Sequence, residues 1–328
     1  MTPMIEQIAL AIRDAQSEGP LLQAGKDVLT GFSGDKLVGA LQRLALLFER
    51  DSAGCYLEVG VFQGLTLLSV ASACRSLQCY GIDNFAFFDP EGQNLRIVRE
   101  RAAKLAVGNA TVINKDYEDA LESLAQTTGG RKVGVYFVDG PHDYRSQLMC
   151  LELVLPHLHR DAVIVVDDSN YRHVRQANRD FLMTHPEFKL VFDAYTACHP
   201  ANATPAQRRA AQEGWWNGVN ILVRDPEGLL PPAYPPTERS RQLYENEHIV
   251  HAGAVAELAP QATELLQLLL RNPLRFVASS LRLYQRLHAN RTALASRYPQ
   301  MNTYSADLPA SRFNTAVLAP ESRTRPNK

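Results

Sequence analysis

Long apolar runs are missing from this 328-residue chain: nothing in it approaches the roughly 20 residues that a bilayer-spanning helix requires. The N-terminus lacks the charged-then-apolar order of a secretory leader, so a cytoplasmic location is expected. Cysteine is scarce, at five, and no two are spaced as CxxC, which excludes a disulfide framework and points to reduced thiols. Cys55 and Cys79 sit in strand-like runs and read as small buried hydrophobes. Repeats and low-complexity tracts are absent too. What remains is 45% hydrophobic, 21% charged and 8% aromatic, an ordinary globular composition that excludes collagen and a wholly disordered chain. Its length suits about two domains, or one α/β domain with appendages.

A net charge of −1 hides a split. Residues 271–328 hold ten Arg and Lys against Asp307 and Glu321, a surplus of +8, so residues 1–270 carry −9. An acidic body with a basic tail is not a whole-surface binder of nucleic acid.

Residues 1–50 read as an N-terminal helical segment broken at Gly19-Pro20 and around Gly31–Gly34, with Leu37, Leu41, Leu44 and Leu47 at helical spacing and Asp35 placed to cap. From 51 to 225, apolar runs at 55–59, 78–82, 110–113, 133–138, 162–166, 188–192 and 218–223 alternate with helical stretches. Continuously apolar strands belong in a sheet covered on both faces. The alternation predicts an α/β, Rossmann-like, seven-stranded and mostly parallel sheet with helices on both faces. Five prolines between 226 and 236 make 226–240 a stiff linker. Residues 241–303 read as a helical appendage with a basic amphipathic pattern at 274–290, and 304–328 as a disordered tail.

Chemistry concentrates at the strand ends. Glu58-Val-Gly60-Val-Phe-Gln-Gly64 follows the first strand and opens a helix, the place where parallel sheets bind nucleotides. The glycines admit a ligand close to the backbone. The spacing is GxxxG, without the GxG of a dinucleotide turn, and an acid at this point suits a cationic or amino-bearing ligand better than a pyrophosphate. Asp83 ends the second strand, where a carboxylate can accept from both hydroxyls of a ribose. Asp116 ends the third and either meets an adenine amino group or caps a helix. The fourth strand ends in Asp139-Gly-Pro-His142-Asp-Tyr144 and the fifth in Asp167-Asp168. Three carboxylates in one pocket are costly without a cation, and a hard divalent ion such as Mg²⁺ held by Asp139, Asp167 and Asp168 resolves that cost. His142, three residues past Asp139, is placed to act as general base.

In this order, ExGxxxG, the Asp after the second strand, DGxHxY and VVDD resemble the class I S-adenosylmethionine-dependent methyltransferases. More narrowly they resemble the bacterial macrocin-type sugar O-methyltransferases and cephalosporin-hydroxylase-like proteins. The resemblance covers residues 50–225. It implies a seventh strand that runs antiparallel between the fifth and sixth. It also implies that the Glu58–Gly64 turn and Asp83 hold the methionine part and ribose of S-adenosylmethionine, with Mg²⁺ on Asp139, Asp167 and Asp168. His142 stands where some members have their proposed base. One departure is the entry to the fifth strand, His159-Arg160-Asp161 in place of a Gly-Gly turn.

The activity so implied is O-methylation of a small hydroxylated acceptor, a sugar or a glycosylated secondary metabolite. The aromatic loops 84–94 (with Phe85, Phe87 and Phe88) and 195–216 (with the 215–216 Trp pair) are candidate acceptor contacts or lid packing. The basic helix at 274–290 could dock a second subunit, cover the site or lie on anionic lipid, and its Tyr and His content favours protein packing over membrane. Two rival readings are an NAD(P)-dependent oxidoreductase, disfavoured by the missing GxG, and a non-catalytic assembly protein, disfavoured by four ionisable groups in one pocket.

Overall fold

The computed structural model describes residues 4–22, 27–86, 88–89, 91–196, 203–237, 259–301 and 308–314. Strands β1 (Gly54–Val59), β2 (Gln78–Ile82), β3 (Ala110–Ile113), β4 (Lys132–Val138), β5 (Leu158–Val166) and β6 (Phe188–Ala194) run in one direction. β7 (Val219–Arg224) lies antiparallel between β5 and β6, as expected. An eighth strand, β8 (Ser311–Phe313), adds antiparallel to the outer edge of β6, so the sheet runs β3-β2-β1-β4-β5-β7-β6-β8. The expected seven strands thus become eight, and part of the tail expected to be disordered belongs to the sheet.

Alternation along each strand feeds two apolar layers. Tyr56, Val135, Phe137, Val163 and Val165 face one side, with Ile5, Ile8 and Ile12 of α1 (Met4–Glu18) and Leu37, Leu41 and Leu44 of α2 (Asp35–Leu46) in the same core. Leu57, Val59, Tyr136, Val138, Ile164 and Val166 face the other, where Leu151 of α7 (Tyr144–Val154) and Phe181 of α8 (Arg172–Thr184) are buried. Burial on both faces is why the strands read as unbroken apolar runs. The four described cysteines, Cys55, Cys74, Cys79 and Cys150, are free and buried, and desolvation lifts the Cys55 and Cys74 thiols to about 12.

Several local expectations change. Gly34, not Asp35, stands at the N-cap of α2, and Asp35 occupies its first turn. His159, Arg160 and Asp161 form no turn, because β5 begins at Leu158 and runs through them. The proline segment is held against the body: Arg175 Nε donates to the Pro236 carbonyl at 2.9 Å, and Asn314 Nδ2 to that of Pro231 at 3.0 Å. Beyond it, α10 (Ala259–Arg271) and α11 (Pro273–Met301) pack on each other, α11 running further than the pattern at 274–290 indicated. Phe87, residues 197–202, 238–258 and the tail outside 308–314 lie outside the described residues. Among the described residues no helix is long and apolar enough to cross a membrane.

Candidate active site

The β1 turn is fitted to the end of β4. Gly60 adopts a left-handed φ of 94°, and a Cβ there would overlap the Asp139 carbonyl oxygen. Gly64, at φ 80°, stands at the N-cap of α3 (Leu65–Ala73), packed against Leu68 and Val98. Asp83 closes the turn from the β2 side: its Oδ2 accepts from the backbone N–H of Val61 (2.9 Å) and Phe62 (2.8 Å), and its Oδ1 from that of Phe85 (2.7 Å). Lone pairs spent on the protein leave room for one ligand hydroxyl on Oδ1 rather than two across the carboxylate.

Glu58 is fully buried, so its expected direct contact with a ligand is replaced by a supporting one. Tyr56 OH donates to its Oε2 at 2.7 Å and Thr66 Oγ1 to its Oε1 at 3.1 Å. Burial outweighs these two hydrogen bonds and, with the nearby Asp83 charge, lifts the carboxyl to about 8. Asp116 caps α5 (Tyr117–Glu122) by accepting from Glu118 N at 2.9 Å, and its carboxylate is exposed. Of the two roles open to it, the cap is the one the geometry fills.

At the ends of β4 and β5 the carboxylates gather less evenly than expected. Ligand atoms of Asp139, His142 and Asp168 lie within 4.8 Å of one another. His142 Nε2 sits 2.7 Å from Asp168 Oδ2, and its ring stacks on Tyr171 at 5.5 Å and 18°. Asp168 holds a left-handed φ of 52° and accepts from Asn217 Nδ2 at 2.5 Å. Asp167 is outside this trio: its Oδ1 accepts from Asp168 N at 2.8 Å, while its Oδ2 is buried with no hydrogen-bond partner. Asn217 Oδ1 is likewise buried and unpartnered. Desolvation, then the charges of Asp167 and Asp168, push the Asp139 carboxyl well above the usual range, and burial with Asp168 does the same to Asp167. Desolvation pulls the His142 imidazole down, but the charge and hydrogen bond of Asp168 raise it by more.

Phe62 of the β1 turn and Trp216 of the 195–216 loop meet residues outside every sequence motif to complete the rim. Lys36 N donates to the Gly214 carbonyl at 3.0 Å, which seats the 31–34 loop beside Trp216. Phe32 stacks on Phe62 (5.2 Å, 28°) and tilts against Trp216 (6.2 Å, 35°). Five of the six described non-glycine residues with a left-handed backbone lie along this edge: Phe62, Phe85, Phe88, Asp168 and Trp216. Strain of this sort persists where the surroundings enforce it, and it clusters at binding sites. Phe88 is exposed and Phe85 half-buried. Trp216 belongs to the Trp pair that the sequence singles out as acceptor contact or lid packing. Nothing local in the sequence marks Phe32 or Asn217.

A doubly wound sheet with β7 and β8 reversed brings a glycine turn at β1 and acids at the ends of β2, β4 and β5 to its carboxyl edge, where such sheets bind their ligands. Residues 57–169 match the family model of a methyltransferase domain. That stretch is therefore a methyltransferase-type domain, and the oxidoreductase alternative is disfavoured by the match. Among solved structures the chain is similar to the O-methyltransferase TomG from Streptomyces achromogenes, involved in tomaymycin synthesis, at 14% identity over 68% of this chain and 99% of that one, TM-score 0.46. It is similar to an O-methyltransferase from Bacillus cereus in complex with S-adenosylhomocysteine at 13% identity, over 68% and 93% of the two chains, TM-score 0.40. A TDP-rhamnose 3′-O-methyltransferase of calicheamicin biosynthesis matches at 15% identity, over 56% and 87%, TM-score 0.38. No curated protein matches the chain in sequence.

Proposed function

We propose that the enzyme methylates a hydroxyl oxygen of a small acceptor, a sugar or a glycosylated secondary metabolite, with His142 as general base and a divalent cation, Mg²⁺ by its oxygen ligands, held by Asp139 and Asp168. The observation that carries this reading is the 2.7 Å His142–Asp168 pair beside Asp139. A hydroxyl must lose its proton to attack a sulfonium methyl, whereas a neutral amine attacks with its lone pair. A positioned base is therefore the mark of an oxygen acceptor.

The residues fit the groups this chemistry needs. Gly60 lets the β1 turn close against the end of β4, and S-adenosylmethionine would sit on that turn beside the free lone pair of Asp83. Bound there, that molecule supplies an electrophilic methyl group on a sulfonium. For the cation, the crowding of Asp139 with Asp167 and Asp168 that raises the Asp139 carboxyl is what an ion held by Asp139 and Asp168 would relieve. Bound there, a divalent ion lowers the pKa of a coordinated hydroxyl. Two carboxylates suit Mg²⁺, and an imidazole that also ligated would favour a nitrogen-tolerant ion such as Mn²⁺.

Asp168 fixes the imidazole through Nε2, so Nδ1 is the atom that takes the acceptor proton. Tyr171 holds the ring plane by stacking. Asn217 fixes Asp168 in turn, and Phe32, Phe62 and Trp216 offer flat apolar faces to an acceptor ring. The catalytic unit in this reading is the 51–225 domain with the N-terminal helices packed on it, followed by the linker and the helical appendage.

The test is S-adenosylhomocysteine release over sugars, nucleotide-sugars, catechols and macrolides, with and without chelator. Turnover of a hydroxylated acceptor that chelator suppresses and that His142→Ala removes is the expected result. Turnover restricted to amines, or indifferent to His142→Ala, would overturn the base assignment, and chelator-resistant turnover would overturn the cation.

A further inference from the structure

From Asp168 to Asn170 every backbone polar group has a partner. Asp168 N donates to Asp167 Oδ1 at 2.8 Å, Ser169 N to the Gly218 carbonyl at 3.2 Å and Asn170 N to that of Asn217 at 3.0 Å. The Asp168 carbonyl accepts from Tyr171 N at 2.9 Å. The two carbonyls that remain, those of Ser169 and Asn170, turn to a single side chain: Arg175 Nη1 donates to them at 2.9 and 2.5 Å. Ser169, Asn170 and Arg175 are all buried.

Two successive carbonyls aimed at one donor fix the peptide planes between the left-handed Asp168 and Tyr171, whose ring stacks on His142. Without that donor both carbonyls are buried and unpaired, and a plane that rotates to find another partner carries Asp168 or Tyr171 with it. Arg175 is held in turn from the proline segment, where its Nε donates to the Pro236 carbonyl, and its guanidinium carbon lies 5.7 Å from the centre of the Tyr195 ring. That segment is docked along its length. The Pro231 and Tyr234 carbonyls accept from Asn314 (3.0 Å) and Arg312 (3.1 Å), and that of Thr237 from Arg179 (3.3 Å), one helical turn beyond Arg175. A planar guanidinium, with Nε and Nη1 donating in set directions, carries placement from the segment to the turn in a way that a single ammonium does not.

We propose that Arg175 is a positioning residue: it sets the 168–171 turn so that Asp168 and Tyr171 meet His142, and the Pro236 carbonyl fixes its guanidinium for that purpose. The effect on turnover rests on the reading of Asp168 and His142 as the reacting pair. The hold on the turn does not. The left-handed φ at Asp168 is a conformation that its surroundings must enforce, and Arg175 is the side chain that closes the carbonyl side of the turn leading out of it.

The experiment compares Arg175→Lys, Arg175→Met and Arg179→Met in the full-length protein by amide hydrogen exchange without ligands, and by kinetics on an acceptor found through S-adenosylhomocysteine release. In Arg175→Lys the amides of Ser169, Asn170 and Tyr171 should exchange about ten-fold faster, the loss of one or two hydrogen bonds, while those of β4 and β5 keep their protection. Arg175→Met should lower kcat about 100-fold, the scale of a small misplacement at a reacting centre, and Arg175→Lys by less, with KM for S-adenosylmethionine unchanged in both. Arg179→Met should match the parent in both readouts. Should Arg175→Met fail to fold, Arg175→Lys carries both arms, and the exchange arm needs no acceptor. Full protection of the three amides in Arg175→Lys overturns the proposal, as does kcat per folded molecule unchanged in Arg175→Lys, or an equal loss in Arg179→Met. Faster exchange in Arg175→Lys beside turnover that ignores His142→Ala removes the base assignment and supports the hold of Arg175 on the turn.

Discussion

The two halves of the sheet's carboxyl edge are built on opposite terms. On the β1–β2 side the acids are mostly satisfied within the protein: Asp83 accepts three backbone N–H groups and keeps one lone pair, Glu58 is closed in by Tyr56 and Thr66, and Asp116 caps a helix. On the β4–β5 side Asp167 Oδ2 and Asn217 Oδ1 are buried without partners, Asp168 is held in a strained backbone, and Asp139 and Asp167 are driven toward protonation. Buried polar groups are normally paired, so exceptions in one place mark where a ligand completes the structure. The satisfied half is a socket closed but for that one Asp83 lone pair. The other half is held short of its own optimum for an incoming charge, and the two should respond differently to substitution.

The largest expected effect lies in the unsatisfied half. His142→Ala and Asp168→Asn should each lower kcat by about 10²–10⁴, the range for removing a positioned base or its anchor. Calorimetric affinity for S-adenosylmethionine should hardly change. A parallel loss of cofactor affinity would erase the division between the halves.

Next is a pH signature of the satisfied half. The folded protein holds the Glu58 proton up to about pH 8, whereas the unfolded chain releases it near its ordinary 4.5. The folded state therefore binds more protons between those values, and stability falls as pH rises through that window. Glu58→Gln should flatten the fall by a few kcal/mol, read from denaturant midpoints between pH 5 and pH 8, values set by the linkage window. An unchanged slope would mean that Glu58 is ionised in place.

Much of this was legible because the strands are buried on both faces and end in their functional residues. Continuous apolar runs located β1 to β7, and Asp139, His142 and Asp168 could be read at the ends of two of them. What escaped is satisfaction at a distance. That Glu58 is claimed by Tyr56 and Thr66 depends on side chains turning inward under the turn. That Asp168 rests on Asn217 spans 49 residues, and Arg312 reaches Asp193 across 119 to seat β8. Asp193 is fully buried, and without Arg312 its charge would be uncompensated. A periodic pattern records which face a residue takes, and it carries no record of which distant partner meets it there. Asp167 escaped for a nearer reason: the left-handed φ at Asp168 turns adjacent carboxylates apart, so a pair that looks equivalent in sequence divides its roles.

A smaller effect follows for stability. Asp139→Asn removes one member of a crowded acid group and should raise the stability of the ligand-free protein at neutral pH by about 1–2 kcal/mol while turnover is lost. Thermal melts with and without Mg²⁺ check it, since stabilisation by the ion should vanish in the variant. A variant less stable than the parent would mean that the Asp139 carboxylate is compensated within the protein.

The smallest expected effect tests whether the rim belongs with either half. Trp216 precedes Asn217, which holds Asp168, and through Phe32 it reaches Phe62 in the β1 turn. If the three rings only close the surface, Trp216→Ala changes stability and leaves kinetics alone. If they receive the acceptor ring, the substitution removes binding common to ground and transition states, so KM rises about five- to ten-fold while kcat holds. Phe32→Ala should then give the same split from a residue nearly two hundred positions earlier in the chain. Agreement between the two would place the N-terminal loop in acceptor recognition. A fall in kcat with Trp216→Ala alone would instead trace the effect to Asn217, and assign the ring to the support of Asp168.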